Sequence, residues 1–249
     1  MKKKLVLLLL LCTGLFSMTQ TIEAQKRNSL FQVSPVAAFA DSLWDGWMKI
    51  PELKAHGDFG VGTFDGVDGE MVVLDGTVYK VKGDGSVVIA DNRVDATPLA
   101  MVTRFKADYT EVLTRDYTYQ ELLDYIETKF PSGNSLYAIK ISGYLKHISA
   151  RSGDKVSKPY PPVSDLFKYY VKNFTYDGPM EATMVGVWCP AYFAGGTENP
   201  LYAANLPGYH FHFLSEDQTK GGHLYSAEVI GGAILEICYI SKLELVINL

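Results

Sequence analysis

Cysteine is scarce in this chain, with 3 residues in 249. Three cysteines cannot supply the repeated ligand pairs of a zinc-finger array, which excludes that class of protein. Cys12 lies in the N-terminal apolar run, so only Cys189 and Cys238 lie in the body of the chain. Both occur in apolar, strand-like segments, and a chain of this length needs no disulfide to hold its core. Two buried thiols and one disulfide are therefore both open predictions.

An excess of positive charge is also absent. The chain has 23 Lys plus Arg against 28 Asp plus Glu, a formal net charge of −5. A nucleic-acid-binding protein normally carries a basic surface that displaces phosphate counterions, so this balance argues against a nucleic-acid partner. With 47% apolar residues, the composition is that of an ordinary globular protein large enough to bury a substantial core.

The only long apolar run lies at the N-terminus. Three lysines precede the run Leu5 to Cys12, and small and polar residues follow up to Ala24 and Gln25. This pattern predicts a secretory signal peptide over residues 1–24, cleaved after Ala24, and a secreted or periplasmic protein. The run is too short for a bilayer span, and the leucines before Cys12 are unlike the small residues of a lipid-attachment site. No other segment approaches transmembrane length, so we expect no membrane span in the mature chain.

Hydrophobic patterning predicts more strand than helix. Asp75-Gly76 separates two β-prone runs, which is the strongest short signal for a hairpin. Thr118 and Glu121 form a capping box at the start of a helix that ends near Pro131. Two further helices are predicted, over 36–47 and roughly 164–172. The other predicted strands are Tyr137–Ile148, Met184–Trp188, Tyr209–Leu214, His223–Val229, Ile234–Ile240 and Leu243–Ile247.

The predicted fold class is therefore α+β, with mixed β-sheets, few helices and a β-rich C-terminal half. We expect a two-part architecture, with an N-terminal mixed α and β part over 25–178 and a β-rich part over 179–249.

Histidine is scarce too, but three of the 5 histidines lie within 14 residues. On a strand, side chains two apart share a face, so His210 and His212 should project together. The polar segment 215–222 is suited to turn the chain back, so His223 should start the neighbouring strand on the same face. Three imidazoles placed in this way suit a tetrahedral metal with one open position. Imidazole ligands suit zinc, and iron, copper and nickel stay open because they also accept imidazole.

Each histidine also has a simpler interpretation. The three clustered residues could be surface histidines on an exposed strand. His56 and His147 have no histidine neighbours in the sequence, so we predict packing or surface roles for both.

The sequence resembles the α-acetolactate decarboxylase family over about Ser29 to Leu249. Three motifs carry the resemblance: the glycine-rich stretch from Gly60 to Met71, Arg151 seven residues before Lys158-Pro-Tyr-Pro-Pro162, and Leu206-Pro-Gly-Tyr-His-Phe-His-Phe with Gly221-Gly-His223. Together these motifs are specific, whereas an isolated His-x-His would be weak.

The resemblance implies a zinc-dependent carboxy-lyase that converts 2-acetolactate, a 2-hydroxy-3-oxo acid, to acetoin and CO2. It implies zinc ligands at His210, His212 and His223, with Glu70 close to the metal. Arg151 lies where the family has its catalytic arginine, and Thr63 at a position that lines the same substrate pocket. The resemblance also implies a two-part mixed fold and a homodimer.

The chemistry of decarboxylation agrees with these residue types. Loss of CO2 leaves an enediolate, and a divalent metal stabilises its negative charge as a Lewis acid. Arg151 can donate two parallel hydrogen bonds to a carboxylate, and Glu70 is the candidate acid and base. Considered alone, Glu70 could be a turn carboxylate, and Arg151 could be a solvated charge in a polar loop before Ser152-Gly-Asp.

Family members extend past the last strand into a tail that in some carries a second glutamate near the metal. The printed sequence ends at Val246-Ile-Asn-Leu249. Glu236 and Glu244 lie in predicted strands, so we do not assign the role of the family's second glutamate to either of them. A different metal-dependent lyase or hydrolase on the same scaffold therefore stays open. An exported module that binds metal or carbohydrate without catalysis is the third alternative.

Overall fold

The computed structural model describes residues 29–194 and 203–248, so the predicted signal peptide lies outside the described residues. Strands are the most common secondary structure in the described chain, and its α-helices are short. The helices are α1 (Val36–Ala40), α2 (Ile50–Lys54), α3 (Tyr119–Glu127) and α4 (Val163–Asp165), the last followed by a single π-helical turn over Leu166–Tyr170. In this part of the chain, no helix combines the length and the apolar character needed to cross a membrane.

The first sheet has seven strands: β1 (Ser29–Val33), β3 (Phe59–Thr63), β4 (Glu70–Leu74), β5 (Thr77–Val81), β6 (Val87–Ile89), β8 (Ala100–Thr103) and β16 (Lys242–Val246). Their spatial order is β16-β1-β8-β3-β4-β5-β6. Neighbours are antiparallel except β1 and β16, which run parallel. A separate two-stranded ladder joins β2 (Met48–Lys49) to β7 (Ala96–Thr97).

The second sheet is built around one long strand. Its members are β9 (Tyr109–Val112), β10 (Leu136–Gly153), β11 (Val171–Tyr176), β12 (Met180–Cys189), β13 (Gly208–Ser215), β14 (Gly221–Val229) and β15 (Ile234–Ile240). The first half of β10 pairs with β12 and β15, and its second half pairs with β14 and β11. Strand β13 also pairs with both β12 and β14. The four strands β10, β12, β13 and β14 therefore form a closed ring of paired strands. Register shifts between Lys146 and Ala150 bend β10 so that it can belong to both sides of this ring.

The two sheets pack face to face across a shared apolar core. Val61 and Val72 of the first sheet meet Val185, Val187 and Leu214 of the second there, all buried. The outer face of the second sheet is covered by α3 through Leu122 and Ile126, and that of the first by α2. Polar side chains that point into the space between the sheets are therefore removed from bulk water.

The predicted fold class, mixed sheets with few helices, is confirmed. The Asp75-Gly76 hairpin is present between β4 and β5, and the capping box at Thr118 has both of its hydrogen bonds. Cys189 and Cys238 are both buried and form no disulfide with each other. Burial raises the pKa of the Cys189 thiol to about 12.

Two helix predictions were wrong in extent. Only residues 36–40 of the predicted helix over 36–47 are helical, since Ser42 has a left-handed φ of 61° and the Trp44 indole donates to the Phe39 carbonyl. The helix predicted over 164–172 is a short α-helix and a π turn, after which Val171–Tyr176 pairs with β10 as a strand. The prediction that Arg151 lies in a polar loop was also wrong, because this residue lies inside β10.

The predicted boundary between residues 178 and 179 falls between β11 and β12. Strands from both sides of it contribute to each sheet, since β16 pairs with β1 and β12 pairs with β10. The division into two parts stays a prediction.

Close packing between β12 and β13 gives the first testable prediction. A Cβ atom at Gly186 would lie 2.3 Å from Cδ1 of Phe211 and 2.6 Å from the His210 carbonyl oxygen. Gly186→Ala should therefore displace β13 and lower the free energy of unfolding by about 1–3 kcal/mol. Urea denaturation measures this change. Gly178→Ala is the matched control, because no atom lies within 4 Å of its added methyl group; equal stability of the two variants would contradict the prediction.

Candidate metal and active site

The structure brings the three clustered histidines together between the two sheets. His210 and His212 lie on β13 opposite Val187 and Val185, and they face the first sheet with those valines. The intervening Phe211 faces the opposite core, as the alternation of the strand requires. His223 lies on β14 directly across from His212. The surface-histidine interpretation is wrong, because His212 is fully buried and its two neighbours are partly buried.

The glycine before His223 explains how β14 comes so close to β10. Gly222 has φ +150°, and a Cβ atom there would lie 2.9 Å from the Arg151 carbonyl oxygen. A larger residue would push β14 outward and take the His223 ring away from its partners.

Three ring nitrogens face each other in this cluster. His212 Nε2 lies 3.2 Å from His210 Nε2 and 3.2 Å from His223 Nδ1. The Nδ1–H of His212 donates to the Met71 carbonyl oxygen at 2.8 Å, which leaves its Nε2 lone pair directed at the gap between the rings. Burial, and to a smaller extent the charge of Arg151, lowers the pKa of His210 to about 4. The pKa values of His212 and His223 are likewise depressed, mainly by burial. All three imidazoles are neutral at pH 7.

This donor set fits a divalent metal. Neutral imidazole is the form that binds metal, and nitrogens about 2.0–2.1 Å from a tetrahedral zinc are about 3.3 Å apart. The observed spacing is close to that value, and the candidate ligand atoms all lie within 4.8 Å of one another. His210 faces the cluster with Nε2, and its other ring nitrogen, Nδ1, is buried without a hydrogen-bond partner among the described residues. The residues can hold a metal, and the ligand set alone does not fix which one.

Glu70 is the carboxylate at this cluster. It begins β4 opposite Thr63, and its Oε2 lies 3.5 Å from His212 Nε2. Its side chain is 15% exposed, and burial raises its pKa to about 7, with the charge of Arg151 acting in the opposite direction. The turn-carboxylate interpretation is wrong, since Glu70 is a strand residue directed at the histidines.

Arg151 lies beside His223 in the register of β10 and β14. Its Nη2 is 3.3 Å from His223 Nε2, and its Nε is buried without a hydrogen-bond partner among the described residues. The guanidinium therefore adds a positive charge and open N–H donors to the side of the histidine cluster.

A cavity of about 100 Å³ joins these groups. Thr63 lies in its wall, with its hydroxyl donating to the Gly69 carbonyl oxygen at 2.8 Å. The other polar lining residues are Glu70, Arg151, His210 and His223. The apolar lining residues are Val36, Phe39, Val67, Leu99, Met101, Val163, Leu166, Phe167, Val171 and Leu206. One wall is thus polar and the rest apolar, an arrangement suited to a small organic anion.

Sequence reasoning missed three residues here. Ser152 is fully buried; its hydroxyl accepts from the Glu70 amide at 3.2 Å and donates to the Val81 carbonyl oxygen at 2.7 Å. Phe167 and Tyr225 stack near the Arg151 guanidinium. The alternation of β14 would have placed Tyr225 on the face of His223, but no signal marked Ser152 or Phe167.

Four other acidic and histidine residues considered from the sequence lie away from the site. His56 stacks on Phe31 with ring centroids 3.6 Å apart, and His147 is exposed. Glu236 pairs with Lys140 at 2.6 Å, and Glu244 with Lys242 at 3.2 Å.

The family model for alpha-acetolactate decarboxylase matches residues 30–248. The chain is 38% identical to an alpha-acetolactate decarboxylase of Methanosarcina mazei over 217 residues, covering 87% of this chain and 72% of the relative. The chain belongs to the α-acetolactate decarboxylase family. Another family member, from Lactococcus lactis subsp. cremoris, is 35% identical over 87% of this chain and 86% of its own.

Solved structures of the α-acetolactate decarboxylase family share the fold. The acetolactate decarboxylase of Bacillus subtilis subspecies spizizenii has a TM-score of 0.79 and 30% identity, covering 88% of this chain and 90% of the other. A Staphylococcus aureus protein described as similar to alpha-acetolactate decarboxylase also has a TM-score of 0.79, with 26% identity, and covers 88% and 89% of the two chains. The prediction of a carboxy-lyase of this family is confirmed.

Metal binding is the prediction that this geometry generates. The full-length α-acetolactate decarboxylase homologue should bind about one divalent ion per chain, and His212→Ala should abolish binding because it removes the central imidazole. Metal analysis by mass spectrometry and zinc titration in a calorimeter measure both. His147→Ala, at an exposed histidine outside the cluster, is the control and should bind like the wild type. Full zinc binding by His212→Ala would contradict the assignment.

Proposed function

We propose that this protein converts 2-acetolactate to acetoin and CO2 with a zinc ion held by His210, His212 and His223. The observation that carries the proposal is the convergence of three neutral imidazoles beside a cavity that His210, His223, Glu70 and Arg151 line. Family membership supplies the substrate class.

The substrate has a carboxylate, a tertiary hydroxyl and a neighbouring ketone. Breaking the bond between C2 and the carboxylate releases CO2 and moves the electron pair toward the ketone oxygen, giving an enediolate. A proton added to C2 then completes acetoin. Zinc, when bound, supplies a Lewis acid that stabilises negative charge on the substrate oxygens.

Arg151 is suited to bind the substrate carboxylate. Its guanidinium offers two parallel N–H donors, and no described carboxylate forms an ion pair with it. Because this arginine lies beside His223, the carboxylate is held at the edge of the histidine cluster. The reacting bond is then fixed in place before it breaks.

Glu70 is suited to transfer the proton. In the metal-free site, burial raises its pKa to about 7, so the carboxyl group can both donate and accept a proton near neutral pH. Ser152 holds the backbone of Glu70, which keeps the carboxyl group directed at the cavity. Met101 and Leu206 make part of the cavity wall apolar, which disfavours water next to the reacting carbon and favours protonation by Glu70.

Activity measurements on the Glu70 variant test the proposal. The wild-type protein loaded with zinc should produce acetoin from racemic acetolactate. Glu70→Gln should lower kcat by about 10²- to 10⁴-fold, since the amide cannot exchange a proton. Glu127→Gln, at an exposed helix position, is the control.

Zinc binding without acetolactate consumption would contradict the substrate and favour another metal-dependent lyase or hydrolase. Full turnover by metal-free protein would contradict the role of zinc. A non-catalytic binding module would keep its ligand affinity in Glu70→Gln and produce no acetoin.

Export and dimer formation are proposals of the same kind. The lysine-led apolar run before Ala24 supports secretion, and the family resemblance supports a homodimer. Mass spectrometry of the protein from the source cell should show an N-terminus at Gln25. Light scattering should show about twice the mass of one chain. An intact Met1 would contradict the first proposal, and a monomer would contradict the second.

A further inference from the structure

Two aromatic rings lie near the Arg151 guanidinium. Its Cζ atom is 4.7 Å from the ring centroid of Phe167 and 5.2 Å from that of Tyr225. Both distances are within the range of about 6 Å over which a ring face attracts a cation. The contact from Arg151 Nη1 to the Tyr225 hydroxyl is 3.5 Å, too long for a strong hydrogen bond.

The rings come from different elements, and both are fixed relative to Arg151. Tyr225 is two residues after His223 on β14, the strand that pairs with β10 at Arg151. Phe167 lies in the π-helical turn, and the first residue of that turn, Leu166, is fully buried. The amide of Asp154 donates to the Tyr170 carbonyl oxygen at 3.1 Å, which ties the end of this turn to the end of β10.

Rings hold a guanidinium differently from a carboxylate. A carboxylate partner would occupy the N–H donors and neutralise the charge. Ring faces contact the guanidinium without accepting from its N–H donors, so the charge and the N–H edge stay available. The buried Nε of Arg151, which has no hydrogen-bond partner among the described residues, belongs to that edge.

We propose that Phe167 and Tyr225 are positioning residues that fix the Arg151 guanidinium so that its N–H edge receives the substrate carboxylate. We call the two rings the aromatic clamp. This inference rests on the proposed function, since it takes the ligand of Arg151 to be the carboxylate of acetolactate. Both rings are partly exposed, Phe167 at 42% and Tyr225 at 44%, so replacing either leaves the core intact.

The first measurement uses the full-length, zinc-loaded protein and acetolactate. Phe167→Leu and Tyr225→Leu should each raise KM by about three- to tenfold. Phe167→Tyr and Tyr225→Phe keep a ring and should restore the wild-type KM. Tyr169→Leu is the matched control, because this aromatic residue is on the same turn, is 65% exposed, and stacks with Lys168 rather than Arg151.

The second measurement is the dissociation constant of 2-hydroxy-2-methylpropanoate. This probe has the carboxylate and tertiary hydroxyl of the substrate but lacks the ketone that drives loss of CO2. Phe167→Leu and Tyr225→Leu should weaken its binding by the same three- to tenfold. Adding Phe167→Leu to Arg151→Met should cause no further loss, since the ring acts through the arginine.

The outcomes separate the clamp from the proposed function. If the wild type produces no acetoin, the proposed function fails. The dissociation constant of 2-hydroxy-2-methylpropanoate then still tests the aromatic clamp, because this measurement needs no turnover. If the leucine variants keep wild-type values of KM and of the probe's dissociation constant, the clamp is wrong. Additive losses in the Arg151→Met background would also overturn it, because they would show that Phe167 acts independently of the arginine.

Discussion

The structure depends on one constraint, the burial of the imidazoles of β13 and β14 against the first sheet. His212 is fully buried there, and its bond to the Met71 carbonyl joins the two sheets. Because an imidazolium ion would be costly in this place, burial keeps the three rings neutral. Neutral rings with converging nitrogens are a ligand set, so the packing that stabilises the sheets also prepares the site.

The same burial gives the neighbouring groups their chemical character. It raises the pKa of Glu70 to about 7, while the Arg151 guanidinium lies in the wall of the same cavity. A carboxyl group with a raised pKa and a guanidinium group thus lie together in one small space. The long strand β10 sets the distance between Glu70 and Arg151. It carries Arg151 next to β14, and the hydroxyl of its Ser152 accepts from the amide of Glu70, the first residue of β4.

The sequence predicted much of the fold because its strongest signals are local. The Asp75-Gly76 hairpin and the capping box depend on a few adjacent residues, and both are present. The predictions that failed depend on distant partners. Val171–Tyr176 is a strand because β10 offers an edge, and Arg151 lies in a strand because β14 pairs with it. No pattern within a short window of sequence contains that information.

For the site, the sequence alone determined that His210 and His212 share a face, since side chains alternate along any strand. It also placed His223 on the neighbouring strand through the turn between them, and its motifs matched one family. Only the tertiary structure decided that this face is buried, that Glu70 and Arg151 converge on it, and that Ser152, Phe167 and Tyr225 support them. The reason is physical: periodicity fixes the direction of a side chain relative to its own strand, whereas burial and charge depend on which distant strands pack against it.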